Sequence, residues 1–252
     1  MTQDFYDELA PFYHLLYPDW DASIGRQSRG LAHVLSEFDV PSGSDVLDAA
    51  CGIGTQALGL AHLGYRVTAS DLSPQAVSRA REEAAVRGLA IAFTVADLRH
   101  LSSRFDRRFP AVIACDNAIP HLLSDDDIRA AFIECRGLLE PGGVLLISVR
   151  DYAPIERRSP DIHSYGTRVV DDRVYNAEQV WNWAGDLYDL TLRLSEQRSA
   201  EPAIVHAFRS RYYAVELPTL EQLLTEAGFT SVVRRDAHFF QPLIVAINAP
   251  AR

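Results

Sequence analysis

The stretch Val46-Leu47-Asp48-Ala49-Ala50-Cys51-Gly52-Ile53-Gly54-Thr55 gathers residue types that could hold a charged ligand. Its apolar start reads as a buried strand feeding a turn, where glycines let a ligand approach the main chain closely. Taken alone, Gly52 and Gly54 followed by Ala57 satisfy a loose dinucleotide pattern, with Asp71 placed to hold a ribose. Asp48 argues the other way, because a carboxylate at the strand end repels a pyrophosphate and attracts a cation. Further along, Asp71 and Leu72 follow a second apolar run, and Ala96-Asp97-Leu98 follow a third. A carboxylate can accept from ribose hydroxyls at the first place and from an exocyclic amine at the second, with Leu98 as an apolar contact for a ring.

The elements that must position these groups follow from the pattern. Strands are expected at Ser44–Ala49, Arg66–Asp71, Ile91–Ala96, Pro110–Cys115 and Val144–Val149. Helices alternate with them: Thr55–Leu63, a helix opened by Ser73-Pro74 and running to Arg87, and Asp125–Leu139 stopped by Pro141-Gly142-Gly143. That alternation implies right-handed crossovers and a parallel sheet covered on both faces. Residues 151–170, with Pro154, Pro160 and Gly166, read as a loop. Tyr175–Trp183 and Leu187–Leu194 read as an antiparallel hairpin, followed by a strand near Arg209–Val215, a helix Leu220–Ala227 and a strand Leu243–Ile247. Residues 3–38 are aromatic-rich and expected to be helical. The organisation expected is a helical lid (1–40), a core (41–150), an inserted cap (151–215) and the C-terminal part of the core (216–252).

The bulk properties exclude several classes. The chain has 252 residues and a formal net charge of −10, which disfavours a nucleic-acid partner. No apolar run is long enough for a membrane span, and the acidic N-terminus does not resemble a secretory signal. Cys51, Cys115 and Cys135 are scattered without a CxxC pair, which argues against a disulfide framework or zinc site and fits a reducing cytoplasm. All 24 basic residues are arginine, so a phosphate-binding P-loop lysine and a Schiff-base lysine are both excluded. No metal is expected.

Four strand ends with matched chemistry along one sheet edge form a binding crevice. The ligand they suit is S-adenosylmethionine (SAM), whose sulfonium and ammonium are cationic and whose adenosine needs ribose and ring contacts. Asp48-Ala-Ala-Cys-Gly-Ile-Gly54, Ser70-Asp-Leu-Ser73, Val95-Ala-Asp-Leu98 and Pro141-Gly-Gly143 resemble the ordered motifs of class I SAM-dependent methyltransferases. The resemblance implies an α/β Rossmann-like fold, mostly parallel with an antiparallel last strand, an N-terminal helical lid and an antiparallel hairpin insertion. It also implies SAM as cofactor, S-adenosylhomocysteine as product, and Asp48, Ala50, Gly52, Gly54, Asp71, Leu72, Asp97 and Leu98 around the cofactor.

A narrower likeness is to glycine and sarcosine N-methyltransferases. It rests on Ala111-Val-Ile-Ala-Cys-Asp-Asn117 with His121 beyond, on Val149-Arg-Asp-Tyr152, on Arg209-Ser-Arg-Tyr-Tyr213, and on Tyr17, Trp20 and Arg26 or Arg29 near the N-terminus. By that resemblance Asn117 and Arg150 contact an amino acid acceptor, Arg150 through its carboxylate, with Tyr152, Tyr212 and Tyr213 beside them. Cys115 offers backbone to the methionine part of SAM and His121 lies beside the cofactor. Tyr17 and Trp20 flank it, and Arg26 or Arg29 grips its carboxylate. Asp116 stands where those enzymes commonly have glycine.

Methyl transfer needs proximity and alignment more than acid–base chemistry. If a base assists, His121, Asp116 and Tyr212 are the candidates by position. Arg150 is alternatively a structural ion pair with Asp151 or Glu156, and His121 a helix-start or core histidine. Trp181 and Trp183 share one face of the expected hairpin, as packing residues or as an aromatic wall for an acceptor. The reading is a methyltransferase acting on a small-molecule amine. Alternatives are an oxygen, carbon or ring-nitrogen acceptor, a nicotinamide-dependent oxidoreductase, or a non-catalytic SAM-binding protein. The oligomeric state is left open, with a homo-oligomer allowed.

Overall fold

The computed structural model describes residues 2–198 and 201–249. Its main sheet is built on β1 (Asp45–Asp48), which pairs in parallel with β2 (Arg66–Asp71) on one side and β4 (Phe109–Ala114) on the other. Beyond them lie β3 (Ala92–Val95) and β5 (Leu139–Ser148), also parallel. The sheet ends with β11 (Leu243–Ile247), antiparallel to β5, and β10 (Ser231–Arg235), antiparallel to β11. The full order is β10-β11-β5-β4-β1-β2-β3. The chain order reverses between β1 and β4, which opens a crevice at the carboxyl ends of the strands.

Alternation along each strand divides the core. Val46, Val67, Ala111, Ile113, Leu146 and Val245 bury against α2 (Trp20–Glu37) and α3 (Thr55–His62). Leu47, Val112, Ala114, Leu145, Ile147 and Ile244 face the other way, towards α5 (Asp125–Gly137) and α6 (Leu217–Glu226). The period of two makes one strand serve both layers. Where α2 crosses α3, a Cβ on Gly59 would sit 2.5 Å from the Ser28 Cβ, so the close approach requires glycine.

Helix starts follow their caps. Ser73 accepts from the Ala76 N–H and Pro74 occupies the first turn of α4 (Pro74–Val86). Ser124 accepts from the Asp127 N–H, and Asp125, Asp126 and Asp127 complement the positive end of α5. At the N-terminus, α1 (Thr2–Leu9) lies beside α4, and a short 3-10 turn (Tyr13–Leu16) leads towards α2.

The second sheet differs from expectation. It has four antiparallel strands: β6 (Asp161–Val170), β7 (Arg173–Ala184), β8 (Leu187–Arg198) and β9 (Ile204–Tyr213). The segment read as a loop is therefore a strand from Asp161 onwards. It is an edge strand, largely exposed, and its register shifts between Ser164 and Gly166, where Gly166 has φ 77°. Such a bulge tolerates the glycine that looked like a breaker. β9 also begins earlier than expected, and β10 is a short polar-ended strand with no sequence prediction. Pro141-Gly142-Gly143 lies inside β5, not before it, because the register against β4 jumps there.

Candidate active site

Two adjoining cavities lie over the carboxyl ends of β1, β2, β3, β4 and β5. The smaller, about 290 Å³, is walled by the turn Ala49–Ile53, by Asp71 and Leu72 after β2, by Ala96, Asp97 and Leu98 after β3, and by Cys115 and His121 after β4. The larger, about 620 Å³, is walled by Asn117, Arg150, Tyr212 and parts of the second sheet. Tyr6, Tyr13, Tyr17 and Asp116 border both and form the passage between them.

In the smaller cavity the turn after β1 is held from β2. Asp71 accepts from the Gly52 N–H at 2.8 Å and from the Ser73 N–H at 2.9 Å. Gly52 has φ 52°, and a Cβ there would meet nothing within 4 Å. Asp48 does not line the cavity. It is buried beneath the turn, neither carboxylate oxygen has a hydrogen-bond partner, and burial pushes its carboxyl up to about 8. An unsatisfied buried acid of this kind is expensive unless a cation is supplied nearby. Asp97 is not a free acceptor, since Arg99 grips both its oxygens at 3.1 and 2.7 Å and holds its carboxyl below the usual range. Cys51 and Cys115 are buried thiols raised above their ordinary value by burial, so they are inert walls.

Gly54 lines neither cavity. Its φ of 97° starts α3, and a Cβ there would lie 3.2 Å from Leu58 and 3.3 Å from Ala80. Trp20 also lies outside, donating to Thr55 Oγ1 at 2.9 Å and so tying α2 to the start of α3. Arg26 and Arg29 are both exposed on α2, but Arg26 donates to Ser23 Oγ and lines the larger cavity, whereas Arg29 lines neither. Of the two arginines, only Arg26 reaches a wall, and on the side away from the strand-end turn.

The passage is built on strained backbone. Asp116 and Asn117 have φ 58° and 65°, both left-handed, and neither is glycine. Such positions cost about 1–3 kcal/mol each and persist only where neighbours fix them. Here the Asp116 N–H donates to Ser148 Oγ at 2.7 Å, the Asn117 N–H to the Ser148 carbonyl at 3.0 Å, and the Arg150 N–H to Asn117 Oδ1 at 3.0 Å. Asn117 Nδ2 donates to the Tyr152 hydroxyl at 2.9 Å, which lies 3.1 Å from the Tyr188 hydroxyl. Tyr152 therefore supports Asn117 from behind and does not reach the cavity. Tyr17 donates to Asp116 Oδ2 at 2.8 Å, while burial raises the Asp116 carboxyl above its ordinary value.

His121 is not arranged as a strong base. Its Nε2 is 2.8 Å from the Tyr6 hydroxyl, its ring lies 4.0 Å from that of Tyr212, and burial pushes its pKa down to about 3. It stays neutral throughout the physiological range. Tyr212 is raised well above its ordinary value by burial and stays protonated, stacked at 5.2 Å on Tyr188. Tyr213 points away, donating to Asp125 at 3.0 Å.

Arg150 forms no ion pair with Asp151 or Glu156. Its guanidinium lies 4.7 Å over the Trp181 ring, and Trp181 stacks at 4.7 Å on Tyr188. Asp151 instead lies 3.9 Å from Arg234. Trp181 is thus packing that also supports a cation. Absent from the sequence reading are Tyr6, Tyr13 and Tyr165, which line the cavities, Ser148, which holds the Asp116–Asn117 turn, and Gln241, which accepts from Ser148 Oγ at 3.0 Å. The first two signal themselves only as members of an aromatic-rich N-terminus, and Tyr165 lies on the strand read as a loop.

Residues 46–143 match the methyltransferase domain family. The chain is 30% identical over 150 residues to the glycine/sarcosine N-methyltransferase of Halorhodospira halochloris, covering 58% of this chain and 56% of that protein. It is 34% identical over 114 residues to the ubiquinone biosynthesis O-methyltransferase of Xanthomonas axonopodis pv. citri, covering 45% and 46%. The matched region spans about half the length of these curated relatives. Among solved structures, the sugar N-methyltransferase KedS8 from Streptoalloteichus sp. ATCC 53650 superposes with a TM-score of 0.78 at 18% identity, covering 94% of this chain and 92% of that one. The chain carries a methyltransferase domain on the class I, SAM-dependent methyltransferase fold. Within that class its likeness is to the glycine/sarcosine N-methyltransferases among others.

Proposed function

We propose that this protein is an enzyme that methylates a small-molecule amine of amino acid type, with SAM as methyl donor and S-adenosylhomocysteine as product. The observation that carries the reading is the junction: a cavity of strand ends suited to SAM opens, past Tyr17 and Asp116, into a chamber containing Arg150 and Asn117. The residues present fit SAM. The unpaired acid of Asp48 favours a nearby cation, Asp71 and Leu72 suit its ribose and Leu98 its ring, and the Ala50–Gly52 turn and Cys115 backbone suit its methionine part. SAM supplies a methyl group already activated on a sulfonium.

The protein's own part is to align and to exclude water. Tyr6, Tyr13 and Tyr17 wall the passage with protonated phenols. Asp116, its carboxyl raised, is the group placed to receive a proton from an acceptor at the passage. His121 orients Tyr6. The same raised acid favours a second reading, an oxygen acceptor whose hydroxyl proton Asp116 would take. Among the described residues no helix is long and apolar enough to cross a membrane. We place the protein in the cytoplasm, with a small molecule and not nucleic acid as its partner.

The test is incubation with SAM and a panel of amines, phenols and heterocycles, read by mass spectrometry, beside calorimetric titration with SAM and NADH. Methylated amine with SAM binding supports the reading. Methylation confined to phenols favours the second. Tight SAM binding with no product across the panel points to a non-catalytic binding protein, and NADH binding without SAM to an oxidoreductase.

A further inference from the structure

Resting on that reading, we propose that the acceptor is a bulky amino acid-like compound: its amine lies at Asp116, its carboxylate at Arg150, and a large apolar or aromatic group fills the remaining chamber. Glycine and sarcosine are too small to be the preferred acceptors.

Volume is the first argument. The chamber, which is open to solvent on one side, has a volume of about 620 Å³. That is within the range of roughly 300–1,000 Å³ that accommodates drug-sized ligands. Glycine, only a few waters in size, would leave most of the wall wet. That wall includes Leu190 and Leu192 from β8, the ring of Tyr188, and Phe239 and Phe240 from the loop before β11, interspersed with the polar Arg26, Gln27, Gln179 and Gln241. Burying an apolar group of the ligand against them supplies binding that glycine lacks.

Charge is the second argument. Arg150 is a half-buried guanidinium held over Trp181, and no carboxylate of the described residues forms an ion pair with it. Its cation is available for an anionic group that enters the chamber. Across the same space Asp116 offers the opposite charge, and it does so from a position where glycine would be less strained. A carboxylate kept there at the cost of a left-handed backbone matches a cationic amine at the mouth of the passage. The two charges fix an amino acid's two ends, and the apolar wall selects what hangs from it.

The experiment measures SAM binding by calorimetry, then compares kcat/KM for phenylalanine, tryptophan, the corresponding decarboxylated amines, glycine, sarcosine and a neutral amino sugar. At least one bulky amino acid is expected to exceed glycine tenfold or more. Arg150→Gln should cost tenfold or more on that acid and less than threefold on its decarboxylated amine. Asp116→Gly, which relieves the backbone, should keep the melting temperature at or above that of the parent while lowering kcat/KM tenfold or more. Glycine or the amino sugar as the best acceptor, or an equal Arg150→Gln loss on acid and amine, overturns this inference and leaves the methyltransferase reading standing. Failure to bind SAM overturns both.

Discussion

The Tyr17 hydroxyl donates to Oδ2 of Asp116 across 2.8 Å, joining the N-terminal lid to the turn after β4 at the passage between the two cavities. This donor lowers the Asp116 carboxyl against the burial that raises it. Removing it therefore lifts the carboxyl further. In Tyr17→Phe the acid limb of kcat/KM is expected to move to higher pH by about 1 unit, the equivalent of a ~1.4 kcal/mol hydrogen bond. A pH–rate profile superimposable on the parent's would show that Asp116 takes no proton in the rate-determining step.

Asp48 gives a stability prediction with a definite sign. Its folded carboxyl is pushed to about 8 while the unfolded one ionises near the ordinary 3.8. The folded protein is thus favoured by this group below the unfolded pKa, and that advantage is lost as pH rises towards 8. Asp48→Asn should stabilise the ligand-free protein by roughly 1–3 kcal/mol at pH 7.5, with a gain that shrinks towards pH 4. The same change should weaken SAM binding, because the buried acid favours a cation. Urea midpoints at several pH values and calorimetric titration check both halves.

Much of this architecture is legible in the sequence because each part is local. The apolar runs around Val46, Val67 and Val112, the Ser73-Pro74 start and the acidic first turn of α5 each announce their element. The strand-end residues Asp71, Leu98 and Cys115 are legible for the same reason, since a parallel sheet brings its carboxyl ends together. What was not legible depends on tertiary choices. Asp97 is drawn to Arg99, two residues on, which only the conformation of the turn decides. Tyr152 and Tyr213 flank the right motifs but point behind and outside the chamber. β6 was hidden by Pro160, just before its start, and by Gly166, which an edge strand accepts at a bulge.

His121 predicts the opposite pH trend from Asp48. Its folded pKa of about 3 lies below the ordinary 6.5 of the unfolded chain. Its contribution is fully present above pH 6.5 and is lost as pH falls towards 3, because the unfolded state takes up a proton that the folded state refuses. The parent should therefore lose stability more steeply than His121→Gln between pH 6.5 and 4.5, by up to a few kcal/mol. Parallel stability curves would mean that the imidazole is protonated in the folded protein.

The lid yields a prediction about binding. Asp7 on α1 accepts from the Ser73 hydroxyl at 2.5 Å and from the Gln75 N–H at 3.1 Å, so it caps the start of α4 from another element. That helix end carries partial positive charge, which makes the contact favourable by about 0.5–2 kcal/mol. Thr2, Gln3 and Tyr6 on the same helix wall the smaller cavity. Releasing Asp7 loosens that wall, Tyr6 included, while the Tyr17–Asp116 contact of the passage stays in place. Asp7→Ala should accordingly raise the KM for SAM several-fold with a smaller change in kcat, and should expose the first turns to limited proteolysis. SAM bound in the site should restore protection, because walls that hold a ligand are held by it in return. If KM and the cleavage pattern both match the parent, the Asp7 contact does not hold the lid over the smaller cavity.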